Sequence, residues 1–269
     1  MGPRALVHSM VGHGYLLRKL LRREVTGRYR GSVLGVFWSL LNPLLMLAVY
    51  TFVFGVVFQA KWGGAQAGAG TAAFALNLFA GLIVHGLFAE CAVKAPMLIP
   101  THAQYVKKVI FPLEILTWVT VGAAFVHWLI GYSVLLVFLV AVQGGIPGTV
   151  LLAPLVMLPF VLFLAGMVWA LAVVGVYLRD VNQVMGVLVT VMLFLSPVFY
   201  PLTAIPEAYV HWMYLNPLTA IIEELRRVTL GGELPRLPVL AGYLAAGVGM
   251  AWGGFFWFQR TRRGFADVL

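Results

Sequence analysis

The sequence predicts an all-α integral membrane protein: six transmembrane helices, an amphipathic interface helix before them, and two short re-entrant helices between spans five and six. Three observations carry that prediction. Hydrophobic residues make up 62% of the 269-residue chain and charged residues only 10%, too little charge to cover the surface of a soluble domain. Apolar runs of membrane-crossing scale recur at 33–58, 72–93, 113–142, 151–178, 184–199 and 239–258. The net charge of +9 collects at the ends of those runs. That distribution fits anionic headgroups and cytoplasmic retention, not nucleic acid. The whole chain, 1–269, reads as a single transmembrane domain.

The N-terminal element is expected over 14–30. Leu17, Leu20, Leu21 and Val25 recur at helical spacing with Arg18, Lys19, Arg22 and Arg23 between them. Such a helix lies in the interface, apolar face toward the acyl boundary and basic face toward phosphate and water. Seven Lys/Arg precede the first long apolar run at Val33, so no cleavable signal peptide is expected and the first span serves as targeting signal.

The first run, 33–58, would be about 39 Å long as a helix, against a hydrocarbon core of about 30 Å, so tilt or a cytoplasmic extension is expected. Pro43 inside it removes a helix hydrogen bond and predicts a kink. The second run carries Asn77, His85 and Glu90, so one of its faces should meet protein or water. Between spans two and three the chain turns basic and proline-punctuated, and Thr101 is a candidate N-cap for a short helix over 101–108. Spans three and four join through Gln143–Thr149, and Arg179-Asp180 marks a polar turn that reads as a structural ion pair. The segment 201–237 reads as two half-apolar pieces broken at Asn216-Pro217 and ended by Gly231-Gly232. Irregular backbone beside a membrane needs protein or a wet cavity around it, hence the re-entrant hairpin.

Lys/Arg placement sets the orientation. With the N-terminus inside, cytoplasmic segments hold the seven N-terminal cations, Lys94, Lys107, Lys108, Arg179, Arg260, Arg262 and Arg263; outer segments hold Lys61, Arg226, Arg227 and Arg236. Both termini are therefore expected in the cytoplasm, with the protein multi-pass in the membrane.

Several chemistries find little support. No lysine is followed by Ser or Thr, so the phosphate-cradling P-loop lysine is missing. The two aspartates, Asp180 and Asp267, are far apart, and the histidines show no HxxxH or HExxH spacing, so no metal site or enzyme activity is expected. His85 and His127 read as polar packing contacts, and Glu90 and Glu114 as partners of Lys94 or of Lys107 and Lys108. The single cysteine, Cys91, excludes an internal disulfide framework.

Two motifs are more specific. One is Arg28-Tyr29-Arg30-Gly31-Ser32-Val33-Leu34-Gly35 with Trp38 and Leu41-Asn42-Pro43-Leu44; the other is Ser196-Pro197-Val198-Phe199-Tyr200-Pro201, then Ile205-Pro206 and Asn216-Pro217-Leu218-Thr219. In this order, over essentially the whole chain, they resemble the membrane subunit of type-2 ABC polysaccharide exporters, the group of O-antigen, teichoic acid and capsule exporters. The kept Arg-Tyr-Arg-Gly-Ser pattern leans toward the O-antigen and teichoic-acid side.

The resemblance implies a homodimer of this chain with two copies of an ABC nucleotide-binding subunit, which supplies ATP and Mg; this chain itself would bind no cofactor. It implies a coupling helix at 101–108, with Thr101, His102, Gln104, Tyr105, Lys107 and Lys108 meeting the ATPase. It implies an extracytoplasmic gate at 201–237, with Tyr209, Trp212, Tyr214, Asn216 and Pro217. Spans one and five would line the path, where the candidates are Trp38, Tyr50, Phe54, Phe58, Phe194, Phe199 and Tyr200. Aromatic faces suit a sliding glycan because they give contact area without one fixed hydrogen-bond pattern. Arg28 and Arg30 are candidates for the pyrophosphate of a lipid-linked substrate, since guanidinium forks phosphate oxygens. Alternatives are an ABC exporter of a small lipid or drug, a membrane enzyme acting on lipid-linked sugars, and a secondary transporter, for which no internal repeat is found.

Overall fold

The structure, a computed structural model, describes residues 12–27, 37–57, 62, 70–106 and 111–269. Among these every regular element is helical. Helix α1, Gly14–Gly27, leaves Arg18, Lys19, Arg22 and Arg23 exposed and half-buries Leu17, Leu20, Leu21 and Val25. Its apolar face is not given to lipid alone. It rests on the third long helix, where Leu21 Cδ1 would stand 3.2 Å from a Cβ at Gly122.

Helix α2, Trp38–Tyr50, runs straight into a π-helical segment, Thr51–Val57. The expected first span is therefore two helix types in series. π-turns inside helices concentrate where a chain needs a local change of register. Here the change falls where Gly55 passes Thr71, whose Cγ2 would lie 2.8 Å from a Cβ at that glycine. Helix α3, Gly70–Lys94, is buried on nearly every side and forms the centre of the bundle. After it come two 3-10 turns, Ala95–Met97 and Pro100–His102, and a single α turn, α4, Ala103–Val106.

Helix α5, Ile115–Gln143, ends on Gly144, whose φ of 76° closes a left-handed C-cap open to glycine at no steric cost. A 3-10 turn, Gly148–Leu152, leads into α6, Ala153–Tyr177, and α7 follows as Val181–Leu195. Then come α8, Glu207–Met213, and α9, Pro217–Thr229. Last are α10, Leu237–Thr261, and the short α11, Phe265–Val268. The most extensive packing joins α6 to α10. A Cβ at Gly166 would collide with the Met250 backbone, and one at Gly254 with the Gly166 backbone, so these two helices touch main chain to main chain.

Among the described residues five helices are long and apolar enough to cross a membrane, Leu40–Val57, Gly70–Met97, Ile115–Gln143, Gly148–Tyr177 and Leu237–Val268. The chain is a multi-pass membrane protein. The expected fifth span is shorter than these and shifted. It covers Val181–Leu195, 15 residues, or about 22 Å at the helical rise, short of a core of about 30 Å. It stops because Ser196 turns its hydroxyl back on Met192 O at 2.5 Å and Pro197 follows. Phe199 and Tyr200 thus sit on the turn beyond the helix and not on its last turn.

Two further expectations need correcting. Thr101 does not cap a helix: it lies inside the 3-10 turn and donates to Met97 O at 2.7 Å. Arg179 and Asp180 are both exposed, and no ion pair between them occurs among the described residues. Glu114 meets Arg262 at 3.1 Å, which ties the basic C-terminal tail to the start of α5; its expected partners Lys107 and Lys108 lie outside the described residues.

Candidate functional site: a cavity among apolar helices between a basic cleft and a clamped hairpin

The aromatic residues singled out along the sequence largely meet. Phe199 stacks on Phe54 with ring centroids 4.7 Å apart and on Phe194 at 5.4 Å, and stands edge-on to Tyr50 at 5.6 Å. Tyr200 Oη donates to Phe194 O at 2.9 Å. Residues on the first span, on α7 and on the turn after it therefore form one cluster. Each such ring pair contributes about 0.5–1.5 kcal/mol beyond its buried area. Only Phe194 presents most of its ring outward. Phe58 lies outside the described residues.

Below this cluster, α2, α3, α5 and α7 enclose a cavity of about 630 Å³. Trp38, Asn42, Tyr50, His85, Glu90 and His127 are on its wall. His85 Nε2 donates to Val189 O at 3.0 Å, and His127 Nδ1 lies 2.8 Å from Glu90 Oε2, so both histidines make the polar packing contacts expected of them. Glu90 also meets Lys94 one helical turn on, at 3.1 Å. An aromatic wall interrupted by a few hydrogen-bonding groups is the usual chemistry of a small-ligand site.

At the C-terminal end of α3 a second hollow, about 1280 Å³, opens between α1, the 3-10 turns and α5. Arg22 and Arg23 of α1 border it, as do Thr101, His102, Gln104 and Tyr105. His102 Nδ1 donates to Leu98 O at 2.8 Å, and its ring stacks on Tyr105 at 5.6 Å. Tyr105 in turn stacks on Phe111 at 4.3 Å. This three-ring column stiffens an otherwise short segment. Its base is equally tight: a Cβ at Gly175 of α6 would collide with the Pro96 backbone. Lys107 and Lys108 lie outside the described residues, as do Arg28 and Arg30.

The outer hairpin divides into two unlike halves. On α8, Tyr209 and Trp212 are exposed, as is Tyr214 just after it. Helix α9 instead sinks into the bundle against α3 and α6, with Leu218, Ile221, Ile222, Leu225 and Val228 fully buried. Asn216 caps α9 by accepting from Leu218 N at 2.9 Å, while its amide donates to Leu195 O at 3.2 Å and to Ser196 Oγ at 3.0 Å. Pro217 takes the first helical position, and its carbonyl accepts from Tyr243 Oη.

The strongest fastening is Arg226, which the charge pattern counted among the cations of the outer segments. It is buried. Its Nε and Nη2 donate to Asn77 O at 3.0 and 2.8 Å, and its Nη1 donates to Pro197 O at 2.5 Å. Nη2 also reaches Val198 O at 3.2 Å, Glu223 Oε1 lies 3.2 Å from Nη1, and the guanidinium stacks 4.5 Å from the Trp62 ring. A planar five-donor fork is what lets one side chain tie α9, α3 and the turn after α7 together. Fully buried Glu224 is paired with Arg236 at 2.6 Å and accepts from its backbone N at 2.9 Å.

Residues 15–230 match the ABC-2 type transporter family. The chain belongs to that family. ABC-2 permeases work with nucleotide-binding subunits, so the hollow beside Thr101–Tyr105 belongs to a transport component, not to an enzyme. Similar proteins include the O-antigen export system permease protein RfbA of Myxococcus xanthus, 27% identical over 98% of this chain and 99% of the relative. The permease of the same name from Klebsiella pneumoniae is 26% identical over 95% of this chain and 96% of the relative. The polysialic acid transport protein KpsM of Escherichia coli is 23% identical over 88% of this chain and 86% of the relative.

For this ABC-2 chain the sequence reading missed Phe111, Trp62 and Arg226. Only the last had a local signal: Glu223, Glu224, Arg226 and Arg227 crowd into an otherwise apolar amphipathic helix. Such density of charge beside a membrane asks for partners.

Proposed function

We propose that this chain is the membrane-spanning half of an ATP-driven exporter that carries a lipid-linked polysaccharide, of O-antigen or teichoic-acid kind, out across a bacterial cytoplasmic membrane. The observation that carries the reading is similarity over nearly the full length to two O-antigen export permeases. The clustering of Tyr50, Phe54, Phe194 and Phe199 between the first span and α7 supports it, because stacked aromatics offer sugar rings apolar contact without trapping them.

In this reading six spans cross the membrane with both termini inside, α7 extended to full depth by the turn at 196–200. Two copies pair, and the path runs along the first and fifth spans of each. ATP and Mg bind only the partner ATPases. Their closure moves Thr101–Val106 with the column His102–Tyr105–Phe111, and the turn before it, where the Pro96 backbone sits without slack against Gly175, carries the motion into α6 and α10. The hairpin α8–α9 forms the outer gate. Arg28 and Arg30 attend the pyrophosphate, and Trp38 and Phe58 continue the path.

The test is loss of the gene product in its bacterium. Surface polymer should vanish and its lipid-linked precursor accumulate inside, and an ABC ATPase should copurify with the chain. A full coat of surface polymer in that strain, with export of a small lipid or drug lost instead, overturns the polysaccharide reading.

A further inference from the structure

The membrane cavity and the cytoplasmic cleft share a wall, and Lys94 is that wall. It borders both hollows, together with its neighbour Val93. Its Nζ lies 2.9 Å from Glu24 Oε1 on the cleft side and 3.1 Å from Glu90 Oε1 on the cavity side. The two carboxylates are not equivalent. Glu90 is 13% exposed and also holds His127 at 2.8 Å, whereas Glu24 is 40% exposed and comes from α1, 70 residues away in sequence. An exposed ion pair holds weakly and is easily exchanged, while a buried hydrogen-bonded one is not. Around Lys94 the cleft carries Lys19, Arg22 and Arg23 with Glu24 as its carboxylate among the described residues. A concave site of one sign at the end of apolar helices concentrates anions that sit at lipid depth. Phosphate oxygens form stronger charge-assisted bonds than one shared carboxylate.

We propose that Lys94 is the phosphate-binding residue of a loading station, at which a pyrophosphate on a lipid carrier displaces Glu24 and the sugar next to it enters the cavity lined by Trp38, Tyr50 and His127. The inference rests on the polysaccharide-exporter reading and names the residue that receives its substrate. Two consequences follow from the exchange. The C-terminal half of α1 loses its tie to α3 when substrate is bound, while the Leu17–Leu21 face keeps its seat on α5. Glu24 is a competitor of the ligand, so removing its charge helps binding.

The experiment uses the full chain in nanodiscs of neutral phosphatidylcholine, titrated with a sugar-free polyprenyl pyrophosphate, the bound fraction being read by native mass spectrometry. Lys94→Gln is expected to weaken binding about tenfold, Lys94→Arg to restore most of it, and Glu24→Gln to tighten it severalfold. A purely structural Lys94–Glu24 pair predicts the opposite sign for Glu24→Gln, and weaker or unchanged binding in that variant overturns the proposal. So does undiminished binding by Lys94→Gln. Phosphatidylglycerol and inorganic pyrophosphate are run beside the probe. Equal occupancy by the former would make this a bulk-lipid site and equal affinity for the latter a soluble-anion site, and either overturns the loading station. Lys94→Arg, eluting as one species of native size, separates lost binding from lost folding. Failure here leaves the export phenotype of the deletion strain untouched, so the two readings fail separately.

Discussion

At the residue scale, Arg226 shows how one buried cation organises a membrane hairpin. Its guanidinium holds carbonyls from Asn77, Pro197 and Val198 at once. Buried groups left without a partner cost about 1–3 kcal/mol each. Arg226→Ala strands the Pro197 and Val198 carbonyls and is expected to lower stability by roughly 2–4 kcal/mol, read by unfolding in detergent. Arg226→Lys should recover little, since a single ammonium cannot fork toward three carbonyls set around it. Full stability in the lysine variant would show that charge alone is needed there. The burial of Arg226 was not legible from sequence, because counting cations by segment assigns a side to the segment and says nothing of which side chain folds back into the bundle. The neighbourhood of Tyr50 and Phe54 was legible from their four-residue spacing, and their rings lie 6.3 Å apart although Phe54 falls in the π-helical segment. Glu24–Lys94 was not legible, because nothing local marks partners so far apart in the chain.

At the element scale the outer hairpin is a fixed part joined to a free one. Helix α9 is held by Arg226, by Tyr132 Oη and Thr229 Oγ1 at 3.0 Å, and by Thr149 Oγ1 donating to Val228 O at 2.7 Å. Helix α8 has exposed aromatics and no buried residue. In the proposed gate, opening would pivot at Tyr214–Asn216 and move α8 over a stationary α9. The break at Asn216-Pro217 was plain in the sequence because the cap and N1 preferences are strong; the difference in burial between the two halves was not, since both are half-apolar. The cytoplasmic segment behaves differently. The rings of His102, Tyr105 and Phe111 stack in series along it. Tyr105→Ala removes both stacks. In the reconstituted transporter it should sharply reduce export while the partner's ATP hydrolysis continues, and the chain should still assemble. Export at the normal rate per ATP would sink the coupling assignment.

At the scale of the whole molecule, the open question of topology turns on α7. Its 15 residues supply about 22 Å, so it crosses a core of about 30 Å only with help from its flanks. The help is at hand on the outer side, where the Ser196–Tyr200 turn is buried against α3 and clamped by Arg226 and Asn216, so its main chain need not face lipid. A six-span arrangement then puts the Gly144–Gly148 turn and Trp212 outside and Arg179 and Arg263 inside. Placing α7 on the inner surface instead would reverse everything after it, moving Trp212 to the cytoplasm and Arg263 to the outside. Single cysteines at Gly145, Trp212, Arg179 and Arg263 decide between these, in a background where native Cys91 is buried. A membrane-impermeant maleimide applied to intact spheroplasts should label Gly145→Cys and Trp212→Cys. Arg179→Cys and Arg263→Cys should label only after permeabilisation. Labelling of Arg263→Cys in intact cells would remove α7 as a span and with it the cytoplasmic C-terminus.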